Sequence, residues 1–127
     1  MTRTDLAAAV LALTLGAAGG CASLWRPGAP AQHDGGVLVD RSKKMTLYTY
    51  DKDPDGRSAC NGPCAVNWPP FIAPAGDKDV GGFAKVKRDD GALQWAYKGK
   101  PLYFWVKDQK PGDKTGDGFN NLWRVAR

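Results

Sequence analysis

The most conspicuous chemical motif in the chain is a pair of cysteines separated by three residues, Cys60-Asn-Gly-Pro-Cys64. An Asn-Gly-Pro segment favours a tight turn, which would bring the two thiols within bonding distance. In an oxidising compartment we expect this pair to form a disulfide, and closing so small a loop would stabilise the fold by about 2 kcal/mol. The alternative is a pair that cycles between thiols and disulfide, although the spacing differs from the two-residue gap of thioredoxin-like sites.

A second motif is rich in carboxylates. The segment from Asp51 to Gly56 has Asp at positions 51, 53 and 55 and Gly at its sixth position, which is how a calcium-binding loop begins. The twelfth position, where such a loop usually supplies a bidentate Glu, is Gly62. Turn formation is the competing explanation, because Asp side chains accept backbone hydrogen bonds and Pro-Asp-Gly favours a tight turn. We therefore expect no metal, and keep a calcium-stabilised module using Asp51, Asp53 and Asp55 as an alternative.

Aromatic side chains form a third set, and it is large for so short a chain. Core packing is the default explanation, because aromatic rings contribute the largest buried areas. The alternative is an exposed platform that stacks on the sugar rings of an envelope polysaccharide or on a partner protein. The residues concerned are Tyr48, Tyr50, Tyr97, Tyr103, Trp68, Trp95, Trp105 and Trp123.

Residues suited to catalysis are scarce. The only histidine, His33, stands in a segment rich in Pro, Gly and Ala, so Ser58 and the carboxylates have no partner base in the expected domain. Zinc would need more Cys or His than the chain offers. We therefore expect no enzyme activity and no cofactor. The net charge of +5 fits contact with anionic surfaces, but no compact Lys/Arg run indicates a nucleic-acid partner.

Residues 1–20 have the pattern of a signal peptide. One cation, Arg3, precedes an apolar run over 6–18 that is too short to span a bilayer comfortably. The segment Ala18-Gly-Gly-Cys21 resembles a bacterial lipobox, and this resemblance implies cleavage before Cys21 and attachment of a lipid to its thiol. Residues 21–35 would then be a lipidated Cys followed by a flexible tether.

These features predict a lipoprotein of the bacterial cell envelope that contacts a membrane through its lipid. The residue after Cys21 is Ala22 rather than Asp, which favours the outer membrane, with the domain facing the periplasm.

Residues 36–127 predict one folded domain made of two tandem repeats, about 36–90 and 91–127. The halves match at an offset of 55 residues in one register without a gap. Two copies are too few for an open solenoid, so we expect the repeats to pack on each other. The matching positions are Gly36-Val-Leu38 with Gly91-Ala-Leu93, Lys43 with Lys98, Leu47-Tyr48 with Leu102-Tyr103, Asp53 with Asp108, and Trp68 with Trp123.

The local patterns within the repeats are those of strands. In Met45–Tyr50 the alternation puts Tyr48 and Tyr50 on one face and Leu47 on the other. Asp90-Gly91 separates two short apolar runs, which is a strong hairpin signal. No sustained helical period follows residue 36. The fold class is therefore expected to be all-β, as a small single domain.

Taken together, the segments 47–53, 58–70 and 101–118 resemble the secreted-repeat bacterial lipoproteins that carry a tandem Tyr-x4-Asp motif. The resemblance covers nearly all of residues 36–127 and implies an envelope lipoprotein, in a family whose function is not established. The matching motif residues are Tyr48, Asp53, Trp68, Tyr103, Asp108 and Trp123.

The expected function is thus a binding or structural role in the envelope without catalysis. An envelope polysaccharide or another envelope protein is the expected partner besides the membrane. The alternatives are a redox or electron-transfer accessory that uses Cys60 and Cys64, and the calcium-stabilised binding module.

Overall fold

The computed structural model describes residues 28–127, so the predicted signal peptide and Cys21 lie outside the described residues. This part of the chain is built mainly of short strands, and the expected all-β fold class is confirmed. None of its helices is long and apolar enough to cross a membrane. The elements are β1 (Ala31–Asp34), β2 (Val37–Asp40), β3 (Tyr48–Tyr50), α1 (Pro63–Asn67), β4 (Phe83–Lys87), β5 (Leu93–Tyr97), β6 (Lys100–Pro101), a 3₁₀ turn (Phe119–Asn121) and β7 (Trp123–Val125).

The strands form three small antiparallel sheets, β1-β2, β3-β7 and β4-β5-β6. The hairpin expected at Asp90-Gly91 joins β4 to β5, with Phe83 opposite Tyr97. A second hairpin joins β1 to β2 through Gly35 and Gly36, whose φ angles of 61° and 87° are those that a tight two-residue turn requires.

Strand β1 lies within the segment that was predicted to be a tether. Ala31 is buried and stands opposite Asp40, so paired structure begins before the expected boundary at Gly36. His33 is therefore part of the fold, opposite Leu38, and its ring meets Tyr97 edge-on at 5.8 Å. The earlier expectation missed this because Gly35-Gly36 is as typical of a flexible linker as of a hairpin turn.

Each repeat gives its last strand to the other repeat. Strand β7 comes from the second repeat but pairs with β3 of the first. Immediately after β7, Ala126 donates its N–H to Leu47 O (2.8 Å) and accepts a hydrogen bond from Leu38 N (2.8 Å).

Phe71, at the end of the first repeat, makes the equivalent exchange with the second. Its N–H donates to Leu102 O (2.9 Å), and its carbonyl accepts from Trp95 N (2.8 Å). The two repeats are therefore interlocked through their C-terminal segments rather than merely stacked.

This equivalence corrects the ungapped register. Leu102 follows Leu47 by the expected 55 residues, but Trp95, rather than Leu93, takes the structural place of Leu38. The reason is the connection after β2, which is two residues longer in the first repeat than the tight Lys98-Gly99 turn after β5. The match of Gly36-Val-Leu38 with Gly91-Ala-Leu93 is thus wrong in space, and the register holds from Leu47 onward.

The central strands separate two hydrophobic clusters. Tyr48 and Tyr103 face one cluster, whereas their neighbours Leu47 and Leu102 face the other, as the alternation predicts. The first cluster, called the aromatic core below, contains Val37, Val39, Tyr48, Cys60, Trp68, Tyr103, Trp105, Trp123 and Val125. The second contains Ala31, Leu38, Leu47, Ala73, Phe83, Trp95, Leu102 and Ala126.

Candidate functional site

A local twofold axis relates the two repeats at the centre of the aromatic core. Tyr48 and Tyr103 exchange backbone hydrogen bonds, from Tyr48 N to Tyr103 O (2.8 Å) and from Tyr103 N to Tyr48 O (2.9 Å). Nearby, Trp68 and Trp123 lie face to face, with ring centroids 3.8 Å apart and planes 2° apart. Residues predicted to be equivalent in sequence therefore meet each other across the interface.

The Trp pair is the middle of a stack of four rings. Tyr50 stacks on the outer face of Trp123 at 4.3 Å, and Trp105 stacks on the outer face of Trp68 at 4.1 Å. Tyr50 and Trp105 are also separated by 55 residues, an equivalence that the sequence match did not include. The three Trp side chains are between 3% and 6% exposed, and Tyr50 is half-buried.

The Tyr and Asp of each motif bond to the opposite repeat. The Tyr48 hydroxyl donates to Asp108 Oδ2 at 2.6 Å, and the Tyr103 hydroxyl donates to Asp53 Oδ2 at 2.7 Å. Burial raises the pKa of both phenols well above the ordinary value, and the hydrogen bond to a carboxylate raises it further. Both hydroxyls are therefore protonated donors at neutral pH.

The two carboxylates also hold the loops that follow them. Asp53 Oδ1 accepts Ala59 N at 2.7 Å, and Asp108 Oδ1 accepts Thr115 N at 3.0 Å and Thr115 Oγ1 at 2.6 Å. Burial raises the pKa of Asp53, and the hydrogen bond from Tyr103 opposes that rise. Each motif Asp thus joins its own loop to the Tyr of the other repeat.

The three carboxylates of the possible calcium loop have separate surroundings. Asp51 forms an ion pair with Arg124 (3.0 Å), Asp53 bonds as described above, and Asp55 lies beside Gly99. Across residues 28–127, no group of three acidic, Cys or His side chains is arranged to hold a metal ion.

Cys60 and Cys64 form a disulfide, with their Cα atoms 5.2 Å apart. Cys60 is fully buried in the aromatic core, whereas Cys64 is half-buried at the start of α1. Helix α1 has only five residues and no side-chain cap. Because so short a helix is not stable by itself, the disulfide and Pro63 at its first turn account for its presence.

Sequence reasoning missed a buried polar network around Arg88, which is 3% exposed. Its guanidinium donates to Ser58 Oγ (3.0 Å), Cys60 O (2.9 Å) and Gln94 Oε1 (2.9 Å). Ser58 Oγ is in turn 2.7 Å from the Tyr103 hydroxyl. Arg88 precedes an Asp-Asp-Gly turn and so has the pattern of a solvated hairpin end. The one available signal was Gln94, whose position on a strand face puts a polar group under the sheet.

The structure therefore brings together all six predicted motif residues and the disulfide. Trp95 and Tyr97 lie apart, in or against the second cluster. Cys21 is outside the described residues.

A family model described as a secreted repeat of unknown function matches residues 30–72 and 84–127. The two matches cover well over half of the chain, and the chain belongs to this family. A search of curated proteins and a search of solved structures find no match. The resemblance seen in the sequence is thereby confirmed, and a location outside the cytoplasm, extracellular or in the envelope, follows from it.

Proposed function

From membership of the secreted-repeat family, we propose that this protein is a non-catalytic cell-envelope lipoprotein whose domain has a structural role. Burial of the aromatic set carries the proposal. A sugar-binding platform needs exposed ring faces, but the stacked rings of Trp68, Trp105 and Trp123 cover one another between the repeats. The residues best suited to ligand binding thus join the two halves of a self-supporting domain.

The hydroxyl groups of the aromatic core support the absence of catalysis in this proposal. Ser58 is 1% exposed and Tyr103 is fully buried, and each is engaged by the other and by Arg88 or Asp53. A nucleophile has to be reached by its substrate, and these groups are closed off by packing. The histidine ring on β1 contacts Tyr97 rather than any of them.

The position of β1 gives the proposed lipid anchor a short reach. Nine residues separate Cys21 from Ala31, the first residue of β1, so a fully extended connection spans at most roughly 30 Å. A domain of this kind would stay close to the bilayer surface, on the periplasmic side of the outer membrane in our proposal. The net charge of +5 would favour contact with anionic headgroups there.

Anchoring can be tested in a bacterial host with the full-length chain and a matched Cys21→Ser variant. We expect labelled palmitate to enter the wild-type chain, which fractionates with outer membranes, and the variant to remain unlabelled and leave the membrane fraction. Unlabelled wild-type protein in the soluble periplasm would contradict the anchor.

The structural role needs a separate experiment in the native organism. Deletion of the gene should make the envelope leakier to detergent, and the wild-type chain, but not Cys21→Ser, should restore it. A pull-down of the intact lipoprotein with and without reductant supplies the contrary outcome. Stoichiometric recovery of one polysaccharide or protein, with an unchanged envelope in the deletion strain, would favour a binding role instead.

A redox accessory is the second candidate, because Cys64 is half-buried whereas Cys60 is fully enclosed. A thiolate could approach only the Cys64 side of this disulfide, as in exchange sites that open in one direction. The reduction potential distinguishes the two functions. A value below about −300 mV would identify a stable structural bond and exclude cycling.

A further inference from the structure

We infer that the aromatic core also acts as a one-electron relay. It accepts oxidising equivalents from a high-potential radical or metal-centred oxidant and holds them as a tyrosyl radical at Tyr48 or Tyr103. The inference comes from the meeting of a continuous four-ring stack with two buried phenol–carboxylate hydrogen bonds. It does not depend on the proposed structural role.

The stack provides a path from the surface to the centre of the domain. Tyr50, half-buried, begins a series of rings with centroid separations of 4.3 Å to Trp123, 3.8 Å to Trp68 and 4.1 Å to Trp105. Indole and phenol are the protein side chains most easily oxidised by one electron, apart from thiols. Rings in face-to-face contact exchange an electron readily, so a vacancy formed at any of them can be shared along the stack.

The two motif tyrosines meet this stack edge-on, one from each repeat. Tyr48 lies 5.3 Å from Trp68, and Tyr103 lies 5.1 Å from Trp123, measured between ring centroids. Both tyrosines are completely buried, which keeps water and solutes away from a radical formed there. The geometry therefore offers two protected sites at equal positions along the path.

Oxidation of a tyrosine also requires a place for its proton, since the oxidised phenol is a strong acid. Each hydroxyl already donates to a carboxylate oxygen, at 2.6 Å for Tyr48 and 2.7 Å for Tyr103, which is within direct proton-transfer reach. Burial raises the pKa of Asp53, which makes it a better proton acceptor than an ordinary carboxylate.

The step balances as follows. The oxidant takes one electron from an indole and leaves its cation radical. Tyr103 then passes one electron to that indole and its phenolic proton to Asp53 Oδ2, giving neutral indole, a neutral phenoxyl radical and a protonated Asp53. A one-electron donor such as a quinol or a thiol restores the phenoxyl, and the proton returns from the carboxyl. Tyr48 and Asp108 can make the same exchange.

The test uses the full chain with its disulfide intact and photogenerated ruthenium(III) tris-bipyridine as the oxidant. Freeze-quenched samples are examined by electron paramagnetic resonance, which distinguishes tyrosyl from tryptophanyl radicals. We expect a tyrosyl signal in the wild-type chain and in the control Tyr97→Phe, since Tyr97 packs outside the stack. The signal should be lost in the double variant Tyr48→Phe/Tyr103→Phe, whose rings retain their shape.

Asp53→Asn/Asp108→Asn tests the proton acceptors, because an amide keeps the hydrogen-bond geometry but does not take the proton. Loss of the tyrosyl signal, with the radical left on tryptophan, is the expected result. A tyrosyl signal that survives both double variants, or that disappears in Tyr97→Phe, would overturn the relay.

A measurement on the wild-type chain alone covers variants that fail to fold. If proton transfer to the carboxylates accompanies oxidation, the tyrosyl radical should form more slowly in D₂O than in H₂O. An equal rate in the two solvents, or no protein radical in the folded chain, would also overturn the inference.

Discussion

The loops that follow the two motif carboxylates occupy equivalent places but are closed in different ways. In the first repeat, the disulfide pins α1 and the buried Arg88 grips the carbonyl of Cys60. In the second repeat, the position equivalent to Cys64 is Phe119, whose ring lies 4.8 Å from Trp105, and no cysteine is present.

The second loop compensates by approaching the aromatic core more closely. Gly116 N donates to the Tyr48 hydroxyl at 3.2 Å, and a Cβ at this position would lie 2.6 Å from the Trp68 ring. Only glycine fits there without displacing the ring. The comparison teaches that the interface between the repeats is the shared structure, whereas each loop has its own means of covering it.

The strongest way to break the shared part is to remove a ring from its centre. Trp68→Ala and Trp123→Ala should each lower the free energy of unfolding by about 3–5 kcal/mol, the usual cost of deleting a large buried aromatic side chain. Chemical denaturation of both variants measures the loss. Because the two rings cover each other, the losses should be similar. A loss in one variant far larger than in the other would show that the repeats do not share the interface equally.

The disulfide is the means of breaking only the first loop. Cys60→Ser/Cys64→Ser should lower the free energy of unfolding by about 2 kcal/mol, because the five-residue loop is no longer closed in the unfolded chain. Hydrogen exchange should quicken at α1 and stay unchanged around Phe119. Equal quickening in both loops would mean that the disulfide supports the whole interface rather than its own repeat.

Local signals made much of this fold predictable. The turn at Asp90-Gly91, the alternation through Leu47 and Tyr48, and the cysteine spacing each depend on residues close in sequence, and the structure contains all three features. The repeat was visible because a twofold interface needs the same ring or carboxylate from each half.

The crossing of the repeats was not predictable from these signals. The spacing of Tyr48 and Asp53 within one motif says nothing about which copy of the Asp each hydroxyl meets, and the structure pairs Tyr48 with Asp108. Arg88 was missed for a related reason, since its partners Ser58 and Cys60 are about 30 residues away. Long-range partners are set by the packing of whole strands, which short motifs do not encode.

Alkaline pH tests whether the two Tyr–Asp pairs are equivalent. Both phenols have a pKa raised by burial in the folded chain, whereas in the unfolded chain they ionise near the ordinary value of about 10. The stability that each contributes is therefore complete below pH 10 and is lost as the pH rises further, by about 1.4 kcal/mol per pH unit for each tyrosine.

Denaturation curves between pH 9 and 12, run on Tyr48→Phe and Tyr103→Phe, measure the two contributions separately. Each variant should lose one proton's worth of the slope. A slope that only one of the variants reduces would show that the other phenol ionises in the folded chain and that the pairs are not equivalent.

Chelation is expected to have the smallest effect, and it tests the acidic segment that the second repeat lacks. Asp51 bonds to Arg124 and Asp53 to Tyr103, so two of the three carboxylates of the possible calcium loop already have protein partners. A calcium ion would have to displace those bonds to collect its six or more oxygens. The melting temperature should therefore be the same in excess calcium and in excess chelator, because a ligand that does not bind the folded state cannot stabilise it. A higher melting temperature in calcium that Asp55→Asn abolishes would instead establish a cation site in the first repeat alone, and would make the asymmetry of the two loops a matter of ligand binding as well as of packing.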